Sequence, residues 1–599
     1  MSTKPQAEAQ TKATAQSRQR AFKLLSEYVY KDKAKLISVV VLLILATAAD
    51  VVGPIIGKVY IDDYLMVGNY DLSALSGLLA LYLVTQFGAA WLRYQQTLRC
   101  TDIALDAVKD IRRRAFDHVL KLPISYFDKA LTGQVVTRIT NDTESIKDLY
   151  VQFLSVVFGN SVLLIGILIA MAVLNIKLML AALLLIPAVV GLIYLYERFS
   201  GPAVQEARSL RSDINGFISE SISGMPVIQT NRQTQAFGTK FATINDAYYV
   251  ARMRTLRASA ALLRPAIDLM SVIVLLAVIT AFGVQVTEGV AEIGVLYAYL
   301  SLLGRFTEPL AEITQRFNLY QQAMVAGERV DALLNKPTQI WGNHSRTAPE
   351  GELIFEQMSF AYHADKPVIP KLDLRIQSGE FFAIVGHTGS GKSTLLNLML
   401  NFYQPQQGQL LLDGRRLQDY SQKALADSIA LVPQEPFIIA GTLADNIDMG
   451  RNLDSEAITY AAEQAQLKPL IEQLPQGLNT LLGERGTRLS TGQRQQLVIA
   501  RALAASPKIL LLDEATANID TQTEQAVQAA IGQLRGKVTL IVVAHRLSTI
   551  KDADRIAVMA KGEVIEMGSH TQLMGDTEGT YYSMYQLQKQ AQAISQAAE

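Results

Sequence analysis

The sequence predicts an α-helical membrane domain of six spans fused to a soluble α/β domain of the P-loop type. Three observations support this prediction. Long apolar runs fill the first half of the 599-residue chain, whereas the second half alternates short apolar β runs with helical patterns. In the stretch Phe382–Thr394, a glycine-rich turn joins one such strand to a helix. Since one hydrophobic core rarely serves more than about 300 residues, the length also indicates several domains.

Acidic and basic residues balance over the whole chain, with 55 Lys and Arg against 55 Asp and Glu. A nucleic-acid-binding protein normally carries a concentrated excess of positive charge, so this composition argues against nucleic acid as a partner. Cys100 is the only cysteine. This excludes an intramolecular disulfide and a cysteine-based metal cluster, and we interpret Cys100 as a buried, unreactive thiol.

The N-terminal residues 1–20 are polar and lack the apolar core of a secretory signal peptide, which predicts a disordered cytoplasmic tail. From Ala21 to Lys35, apolar and basic side chains recur with helical spacing. This pattern predicts an amphipathic helix lying along the inner face of a membrane. A solvated, charged helix is the alternative.

Six apolar stretches are long enough to cross a bilayer, which takes about 20 residues in a helix. A hydrophobic soluble bundle is the alternative, but it would not keep so many long apolar runs in water. Residues 21–335 are therefore predicted to form a six-helix transmembrane domain with cytoplasmic helical extensions. The predicted spans are Leu36–Ile56, Leu72–Leu92, Val151–Leu174, Leu178–Tyr196, Ala260–Val284 and Ile293–Ile313.

Loop charge predicts the orientation of these spans. The N-terminal tail and the two long connections, after the second and fourth spans, are rich in Lys and Arg, whereas the short connections are not. The positive-inside rule then places both termini and both long connections in the cytoplasm. Each long connection holds a segment that mixes turn formers with apolar side chains, Pro123–Asp148 and Asn215–Asn231. We interpret these segments as docking elements between domains; ordinary helix-breaking turns are the alternative.

Ionisable side chains inside predicted spans are costly in lipid and often functional. Asp268 lies four residues after Arg264, and Glu308 three after Arg305, so each pair could neutralise itself on one helix face. Structural pairing is our interpretation, and a role in substrate binding is the alternative. The ionisable residues are Asp50, Arg264, Asp268, Arg305 and Glu308.

A polar segment containing Pro and Gly, residues 336–351, predicts a linker, and residues 352–590 are predicted to form the soluble domain. Near-continuous apolar strands alternating with helices indicate a mostly parallel sheet covered on both faces. These strands are Phe382–Val385, Ile429–Val432, Ile509–Leu512, Leu540–Ala544 and Ile556–Met559. A smaller antiparallel part is predicted from Leu353–Phe360, Leu372–Ile376 and Gln409–Leu412.

The glycine-rich turn has the spacing Gly386-x-x-x-x-Gly391-Lys392-Ser393 between strand and helix. Glycines let backbone N–H groups converge on phosphate oxygens, and the helix N-terminus adds partial positive charge. Lys392 supplies a full charge to the outer phosphates, and the Ser393 hydroxyl can bind Mg²⁺. A chance match in a glycine-rich turn is the alternative. The remaining loop residues predicted to contact nucleotide are His387, Thr388, Gly389, Ser390 and Thr394.

An acidic pair ends the apolar strand Ile509–Leu512. A carboxylate at that position is where Mg²⁺ on a bound phosphate would be held, so Asp513 is predicted to contact the metal. Glu514 is placed to polarise the water that attacks the γ-phosphate. The pair alone is a weak signal, and it becomes strong in combination with Lys392.

The segment Leu489-Ser490-Thr491-Gly492-Gln493, about twenty residues before Asp513, resembles the signature motif of ATP-binding cassette (ABC) transporters. The other motifs of the family occur in order. They are the adenine-stacking aromatic residue at Tyr362, the Q-loop at Gln434, the exporter segment Gly483–Gly486, the D-loop Ala517–Asp520 and the switch histidine His545. Six spans followed by one cassette is the layout of an exporter half-transporter, so the resemblance covers nearly the whole chain.

Three further stretches resemble the multidrug-resistance-like group of bacterial half-transporters: Ile293–Arg305, Val325–Val330 and Val385–Thr394. The resemblance implies ATP and Mg²⁺ as cofactors, and it implies dimerisation with a second half-transporter. A heterodimer is favoured, and a homodimer is the alternative. It also implies a multi-pass protein of the bacterial inner membrane with a cytoplasmic ATPase domain.

The resemblance implies roles for named residues. Glu514, His545 and Gln434 would be catalytic, and Ser393, Gln434 and Asp513 would hold the metal. Ser490, Gly492 and Gln493 would close over a nucleotide held on another cassette, and the two docking segments would be coupling helices. Thr491 stands where the family usually has Gly, and Asn518 lies in a D-loop that differs from the usual one; neither change removes a phosphate-handling group.

The resulting prediction is an ATP-driven exporter of small amphipathic molecules. A lipid flippase of the same architecture and a peptide exporter are alternatives, the second weakened because no peptidase-like segment precedes the spans. A channel-regulating cassette of low turnover is a further alternative, and the presence of both Glu514 and His545 argues against it.

Overall fold

A computed structural model describes residues 16–27, 32–68, 71–262, 264–287, 293–363, 365–513, 521–544 and 550–598. The chain divides into two compact units. The first contains Met1–Lys121 and Ala130–Pro337, and the second contains Leu122–Lys129 and Thr338–Glu599.

The first unit is helical in its described residues, and two stretches of π-helix, Tyr60–Leu65 and Leu149–Phe158, interrupt it. Its helices are α1 (Lys33–Val59), α2 (Leu72–Val119), α4 (Thr132–Ile139), α5 (Asn141–Asp148), α6 (Gly159–Leu174), α7 (Ile176–Leu183), α8 (Leu185–Ser223), α9 (Met225–Thr230), α10 (Thr234–Leu262), α11 (Arg264–Thr287) and α12 (Ile293–Leu334). The short helix α3 (Ile124–Phe127) belongs to the second unit.

Five stretches of the described residues are helical, long and apolar enough to cross a membrane, and they overlap the first five predicted spans. They are Lys33–Leu65, Leu72–Val119, Thr132–Leu174, Met179–Ser223 and Thr234–Thr280. At about 1.5 Å per residue, the 48 residues of α2 extend about 72 Å, more than twice the ~30 Å hydrocarbon layer. Helix α2 is therefore long enough to continue beyond the membrane, and its cytoplasmic extension stays a prediction.

The sixth predicted span lies in α12, which is not among those five stretches. Arg305 and Glu308 interrupt its apolar sequence. The helix nevertheless fully buries Tyr299, Leu302 and Phe306 in the hydrophobic core of the unit. A helix that packs largely against other helices needs less overall hydropathy than one that faces lipid, which explains its composition.

The N-terminal helix, residues 16–27, packs differently from the prediction. Ala21, Leu24 and Leu25 are buried, and the last two share a core cluster with Tyr150 and Val330. The Tyr150 hydroxyl donates a hydrogen bond to the Leu25 carbonyl at 2.7 Å. Neighbouring helices of the same unit cover Leu24 and Leu25, so the prediction of a membrane-facing surface is wrong for these two residues. Phe22 is 56% exposed, and Tyr28 and Val29 lie outside the described residues.

The intramembrane charges pair across helices. Asp50 on α1 forms an ion pair with Arg93 on α2, and its side chain is only 13% exposed. Arg305 on α12 donates from Nη1 to the backbone carbonyl of Asp50 on α1 at 2.8 Å. The sequence predicts that Arg305 pairs with Glu308 on its own helix, whereas this hydrogen bond joins two helices. The side chain of Arg264 lies outside the described residues, and its pairing with Asp268 stays a prediction.

The second unit contains two sheets. The larger has the order β10-β9-β3-β8-β7-β6, in which all neighbours are parallel except β10 with β9. The smaller is antiparallel with the order β2-β1-β4-β5. Both sheets were predicted, whereas β5 and β10 were not. The strands are β1 (Leu353–Phe360), β2 (Ile369–Ile376), β3 (Phe381–Val385), β4 (Gln407–Leu412), β5 (Arg415–Arg416), β6 (Ile429–Val432), β7 (Ile509–Asp513), β8 (Thr539–Val543), β9 (Arg555–Ala560) and β10 (Glu563–Gly568).

Strand β3 is buried on both faces, as its continuous apolar sequence predicts. Phe381, Ala383 and Val385 join one hydrophobic core, and Phe382 and Ile384 join the other. The α-helices of the second unit after β3 are α13 (Lys392–Met399), α14 (Gln422–Ser428), α15 (Leu443–Asp448), α16 (Ser455–Gln464), α17 (Lys468–Gln473), α18 (Thr491–Leu503), α19 (Thr521–Leu534), α20 (His570–Gly575) and α21 (Thr580–Ala598).

Part of the predicted linker 336–351 is bonded to the second unit. The Gly342 and His344 N–H groups donate to the carbonyls of Tyr420 and Asp419, each at 3.0 Å. Ala348 is fully buried, and its N–H donates to the Ser428 hydroxyl at 2.8 Å. These contacts anchor the segment, which its polar composition did not indicate.

We expect the ion pair between Arg555 and Glu380 to stabilise the second unit. Arg555 donates from Nε and Nη2 to the Glu380 carboxylate at 2.5 and 2.9 Å, and the Glu380 side chain is only 8% exposed. Arg555→Ala would leave a buried carboxylate without its cation, at a cost of about 3 kcal/mol. Thermal unfolding of the purified chain should show a midpoint lower by roughly 6–12 °C.

Lys371→Ala is the matched control for this experiment. It removes an ion pair with Asp373 whose side chains are both more than half exposed, and exposed pairs contribute at most about 1 kcal/mol. Equal midpoints for Arg555→Ala and Lys371→Ala would contradict the stabilising role of the buried pair.

Candidate nucleotide-binding site

The larger sheet brings four chain segments to one edge. β3, β8, β7 and β6 are parallel neighbours, with Ile384 in register with Val543, and Val543 with Asp513. The glycine-rich loop begins directly after β3, Gln434 follows β6, and Asp513 ends β7. In open α/β sheets, ligands bind at the carboxyl ends of the strands, so this edge is the candidate site.

Two glycines of the loop occupy conformations that require glycine. A Cβ atom on Gly386 would lie 2.2 Å from the Met559 carbonyl oxygen, and φ at Gly386 is +152°. Gly391 adopts the left-handed conformation, with φ of +104°, immediately before α13. His387, Thr388 and Gly389 are exposed at the tip of the loop. The exposed tip and the N-terminus of α13 are the part of the loop where backbone N–H groups could meet a phosphate, although the Ser390 N–H already donates to the His387 carbonyl at 3.1 Å.

Lys392 lies at the start of α13 and is only 6% exposed. Its Nζ donates to the carbonyls of Gly386 and His387 at 2.7 and 3.1 Å. The ammonium group therefore lies beside the loop backbone, where it can serve a phosphate held by the same loop. Ser393 follows it, exposed on the first turn of the helix.

Ser390 provides a test of whether the loop fits a phosphate. The residue is 4% exposed, and its Oγ is buried without a hydrogen-bond partner among the described residues. Buried hydroxyl groups normally have partners. An unpartnered hydroxyl in a glycine-rich loop before a helix N-terminus fits a triphosphate and its Mg²⁺.

Tyr362 lies beside the same helix. Its hydroxyl donates to Thr394 Oγ1 at 3.3 Å and accepts from Asn397 Nδ2 at 3.5 Å. The rings of Phe360 and Tyr403 contact the Tyr362 ring, almost perpendicular to it, with centroids 4.9 and 5.0 Å away. The structure thus places Tyr362 next to Thr394, the last residue of the loop motif.

Asp513 and Gln434 follow adjacent parallel strands, β7 and β6. Asp513 is half-buried, and Gln434 is exposed in the turn after β6. Glu514 follows Asp513 at the end of β7, and His545 follows Ala544 after β8. Both lie outside the described residues. Their predicted catalytic roles, and that of Gln434, stay predictions.

The signature segment begins helix α18. Ser490 is its N-cap: the Ser490 hydroxyl accepts from the Gln493 N–H at 3.2 Å, and the Gln493 side chain accepts from the Ser490 N–H at 2.9 Å. This reciprocal capping box satisfies two backbone donors. Gly492 is buried, and Thr491 is exposed. The spacing Ser-x-x-Gln could have predicted the cap from sequence, whereas the resemblance alone assigned Ser490 and Gln493 to nucleotide.

The sequence analysis missed Tyr403, and it did not place Asp128 beside the site. Tyr403 packs on Tyr362, and its hydroxyl donates to the carboxylate of Asp128. Burial, followed by this hydrogen bond, raises the pKa of the Tyr403 phenol. Asp128 lies in the docking segment Pro123–Asp148 that the sequence predicts, but no local pattern indicates that it contacts Tyr403, because the two residues are 275 positions apart in the chain.

Each of the two parts of the chain matches a known protein family. Residues 36–310 match the ABC transporter transmembrane region, and residues 369–517 match the ABC transporter family. The second match covers the glycine-rich loop, Gln434, the signature segment and Asp513.

Individual proteins resemble the chain over nearly its full length. The multidrug resistance-like ATP-binding protein MdlB of Buchnera aphidicola subsp. Acyrthosiphon pisum (strain APS) is 37% identical over 94% of this chain and 97% of its own. The ATP-dependent lipid A-core flippase of Idiomarina loihiensis is 31% identical over 95% of this chain and 97% of its own. The solved structure of a bacterial Atm1-family ABC exporter with ATP bound matches with a TM-score of 0.78 and 24% identity, over 93% of this chain and 99% of that one.

A helical membrane domain and a P-loop ATPase domain thus occur in one chain, with relatives that carry both over their whole length. The chain belongs to the ABC transporter family.

Proposed function

We propose that this chain is one half of an ATP-driven exporter that moves small amphipathic molecules out of the cytoplasm. The observation that carries the proposal is the edge of the larger sheet. There the glycine-rich loop, Gln434 and Asp513 follow neighbouring parallel strands in a chain that also carries the membrane helices. The unpartnered Ser390 hydroxyl supports a phosphate at this edge.

Each residue of the site has a proposed task. Tyr362 stacks on the adenine, and the backbone of residues 386–394 holds the phosphates together with the ammonium group of Lys392. Mg²⁺, when bound by Ser393, Gln434 and Asp513, neutralises charge on the phosphate oxygens. Glu514 orients and polarises the attacking water, and His545 contacts the γ-phosphate region.

We propose that the active unit contains a second half-transporter. The chain carries one P-loop and one signature segment. In the described part of the chain, Ser490 and Gln493 bond to each other at the start of α18, which leaves the exposed side of the segment to a nucleotide on another cassette. A separately encoded partner is favoured by the similarity to the multidrug resistance-like proteins, and a homodimer is the alternative.

The location proposed is the bacterial inner membrane, with both termini and the ATPase domain in the cytoplasm. The loop charges support this orientation, since the N-terminal tail and both long connections are rich in Lys and Arg, whereas the short connections are not. ATP is made and kept on that side, so the same orientation supplies the site with nucleotide.

A lipid flippase is the second candidate, because the similarity to a lipid A-core flippase extends over 95% of the chain. Exposed apolar side chains on α1 and α6, among them Ile44, Ile165, Ile169 and Val173, border an apolar cavity of about 590 Å³. Such a surface accommodates acyl chains as readily as it accommodates drugs.

The first prediction concerns the proposed base. Glu514→Gln should leave ATP binding intact and lower steady-state hydrolysis at least about 10²-fold, because an amide cannot accept the proton of the attacking water. ATPase activity of the assembled protein, with the partner's own site inactivated, measures this. Glu456→Gln, an exposed residue in the first turn of α16, is the control and should keep parental turnover. Undiminished turnover in Glu514→Gln would refute the assignment.

The second prediction concerns the partner. The chain purified alone should show little ATPase activity, and co-expression with a candidate partner half should give a stable complex with high activity. Mass measurement separates the two assemblies, since a homodimer has twice the 65.7 kDa of one chain. Full hydrolysis by a monomer would contradict the shared nucleotide site, and full activity in a homodimer would contradict the favoured heterodimer.

The third prediction separates the drug exporter from the lipid flippase. In detergent, amphipathic drugs should stimulate ATPase activity, whereas added phospholipid or lipid A should leave it unchanged. The same lipids should give no flipping of fluorescent analogues in vesicles that contain the active complex. Stimulation by one lipid class, with ATP-dependent flipping of that lipid, would favour the flippase instead.

A further inference from the structure

Three aromatic rings form a cluster beside the P-loop helix α13. The ring centroids of Phe360, Tyr362 and Tyr403 are 4.9, 5.0 and 5.5 Å apart, and each pair meets at a steep angle. Phe360 is buried, and the two tyrosines are half-buried. Because aromatic rings in this arrangement are closely packed, a shift of one ring requires a shift of its neighbours.

One side of the cluster touches the proposed nucleotide site. The Tyr362 hydroxyl bonds to Thr394 and Asn397, on the first and second turns of α13. Gln406 donates from Nε2 to the Ala361 carbonyl at 2.9 Å, which fixes the backbone just before Tyr362. The position of the Tyr362 ring is thus tied to the loop that would hold the phosphates.

The other side of the cluster touches a segment from a distant part of the chain. The Tyr403 hydroxyl donates to the Asp128 carboxylate, and Asp128 follows directly after the short helix α3. The segment Leu122–Lys129, with α3 inside it, belongs to the same compact unit as Tyr403. A tyrosine is protonated at neutral pH even at its ordinary pKa of about 10, so Tyr403 can donate this hydrogen bond. Burial and the neighbouring carboxylate raise the pKa of the phenol further.

We propose that Tyr403 is a positioning residue that connects the adenine-facing Tyr362 to Asp128, so that binding of the adenine base orders the segment Leu122–Lys129. This inference rests on the proposed function, in which ATP occupies the P-loop with its base against Tyr362. It adds that the base, as well as the phosphates, carries information to the segment. Phosphate alone fills the loop without pressing on the Tyr362 ring.

Hydrogen exchange of the full-length chain tests the proposal. The Glu514→Gln background, in complex with its partner, keeps ATP bound during the measurement. Two probes are compared, Mg-ATP and Mg-tripolyphosphate, which has the phosphates without the base. Two peptides are followed, one covering residues 386–394 and one covering residues 122–129.

Both probes should slow exchange in residues 386–394, and only Mg-ATP should slow exchange in residues 122–129, by about fivefold or more. Tyr403→Phe keeps the ring and removes the hydroxyl, so it should abolish the second effect and keep the first. Asp128→Ala should do the same, and the double variant should add nothing, because both changes remove one hydrogen bond. Tyr460→Phe, which removes an exposed hydroxyl on α16, should behave as the parent.

Unchanged protection of residues 122–129 in Tyr403→Phe would overturn the proposal. Equal protection of that segment by Mg-tripolyphosphate would overturn it as well, since the base would then be irrelevant. Protection of residues 386–394 alone in the parent would refute the connection and leave the nucleotide site standing. If neither Mg-ATP nor Mg-tripolyphosphate slows exchange in residues 386–394, both the proposed function and the connection are refuted.

Discussion

The burial of β3 on both faces is the constraint on which the nucleotide site depends. Its five residues alternate between two hydrophobic cores, so neither the strand nor its carboxyl end can shift without disturbing both. Gly386 continues from this fixed end in a space that the Met559 carbonyl closes to any side chain. The loop therefore starts from a rigid point. Parallel pairing with β8, β7 and β6 then brings Asp513 and Gln434 to the same edge.

Much of this second unit could be predicted from the sequence, because a parallel sheet leaves a strong local signal. Strands buried on both faces must be continuously apolar, and Ile429–Val432 has the same limits in prediction and structure. The loop motif is equally local in sequence, although the Met559 carbonyl that leaves no room for a side chain at Gly386 lies far along the chain. What could not be predicted depends on pairs far apart in sequence. The contact between Tyr403 and Asp128 has no periodicity, and β5 is only two residues long.

The membrane unit shows where hydropathy stops being informative. An apolar run predicts a span because lipid cannot satisfy polar groups, but it does not say which face meets protein. Residues 21–27 have an apolar face that fits a membrane surface equally well, and the structure covers Leu24 and Leu25 of that face with neighbouring helices. Arg305 was expected to pair on its own helix, yet it donates to a carbonyl on α1. In both cases the observed contact is with another helix, and a pattern along a single helix cannot reveal such a contact.

The signature segment shows how one residue can serve both the fold and the chemistry. The Ser490 hydroxyl uses a lone pair to cap α18, and the cap requires no hydroxyl hydrogen. A hydroxyl has one donor and two acceptor lone pairs, so the capped group still has a donor for a phosphate oxygen. The cap also fixes the serine rotamer, which reduces the entropy lost when that donor binds. Thr491 is exposed and takes no part in the capping box, so its replacement of glycine leaves this arrangement intact. The departure from the family motif therefore alters the surface of the segment, while the group that would reach a nucleotide on another chain keeps its geometry.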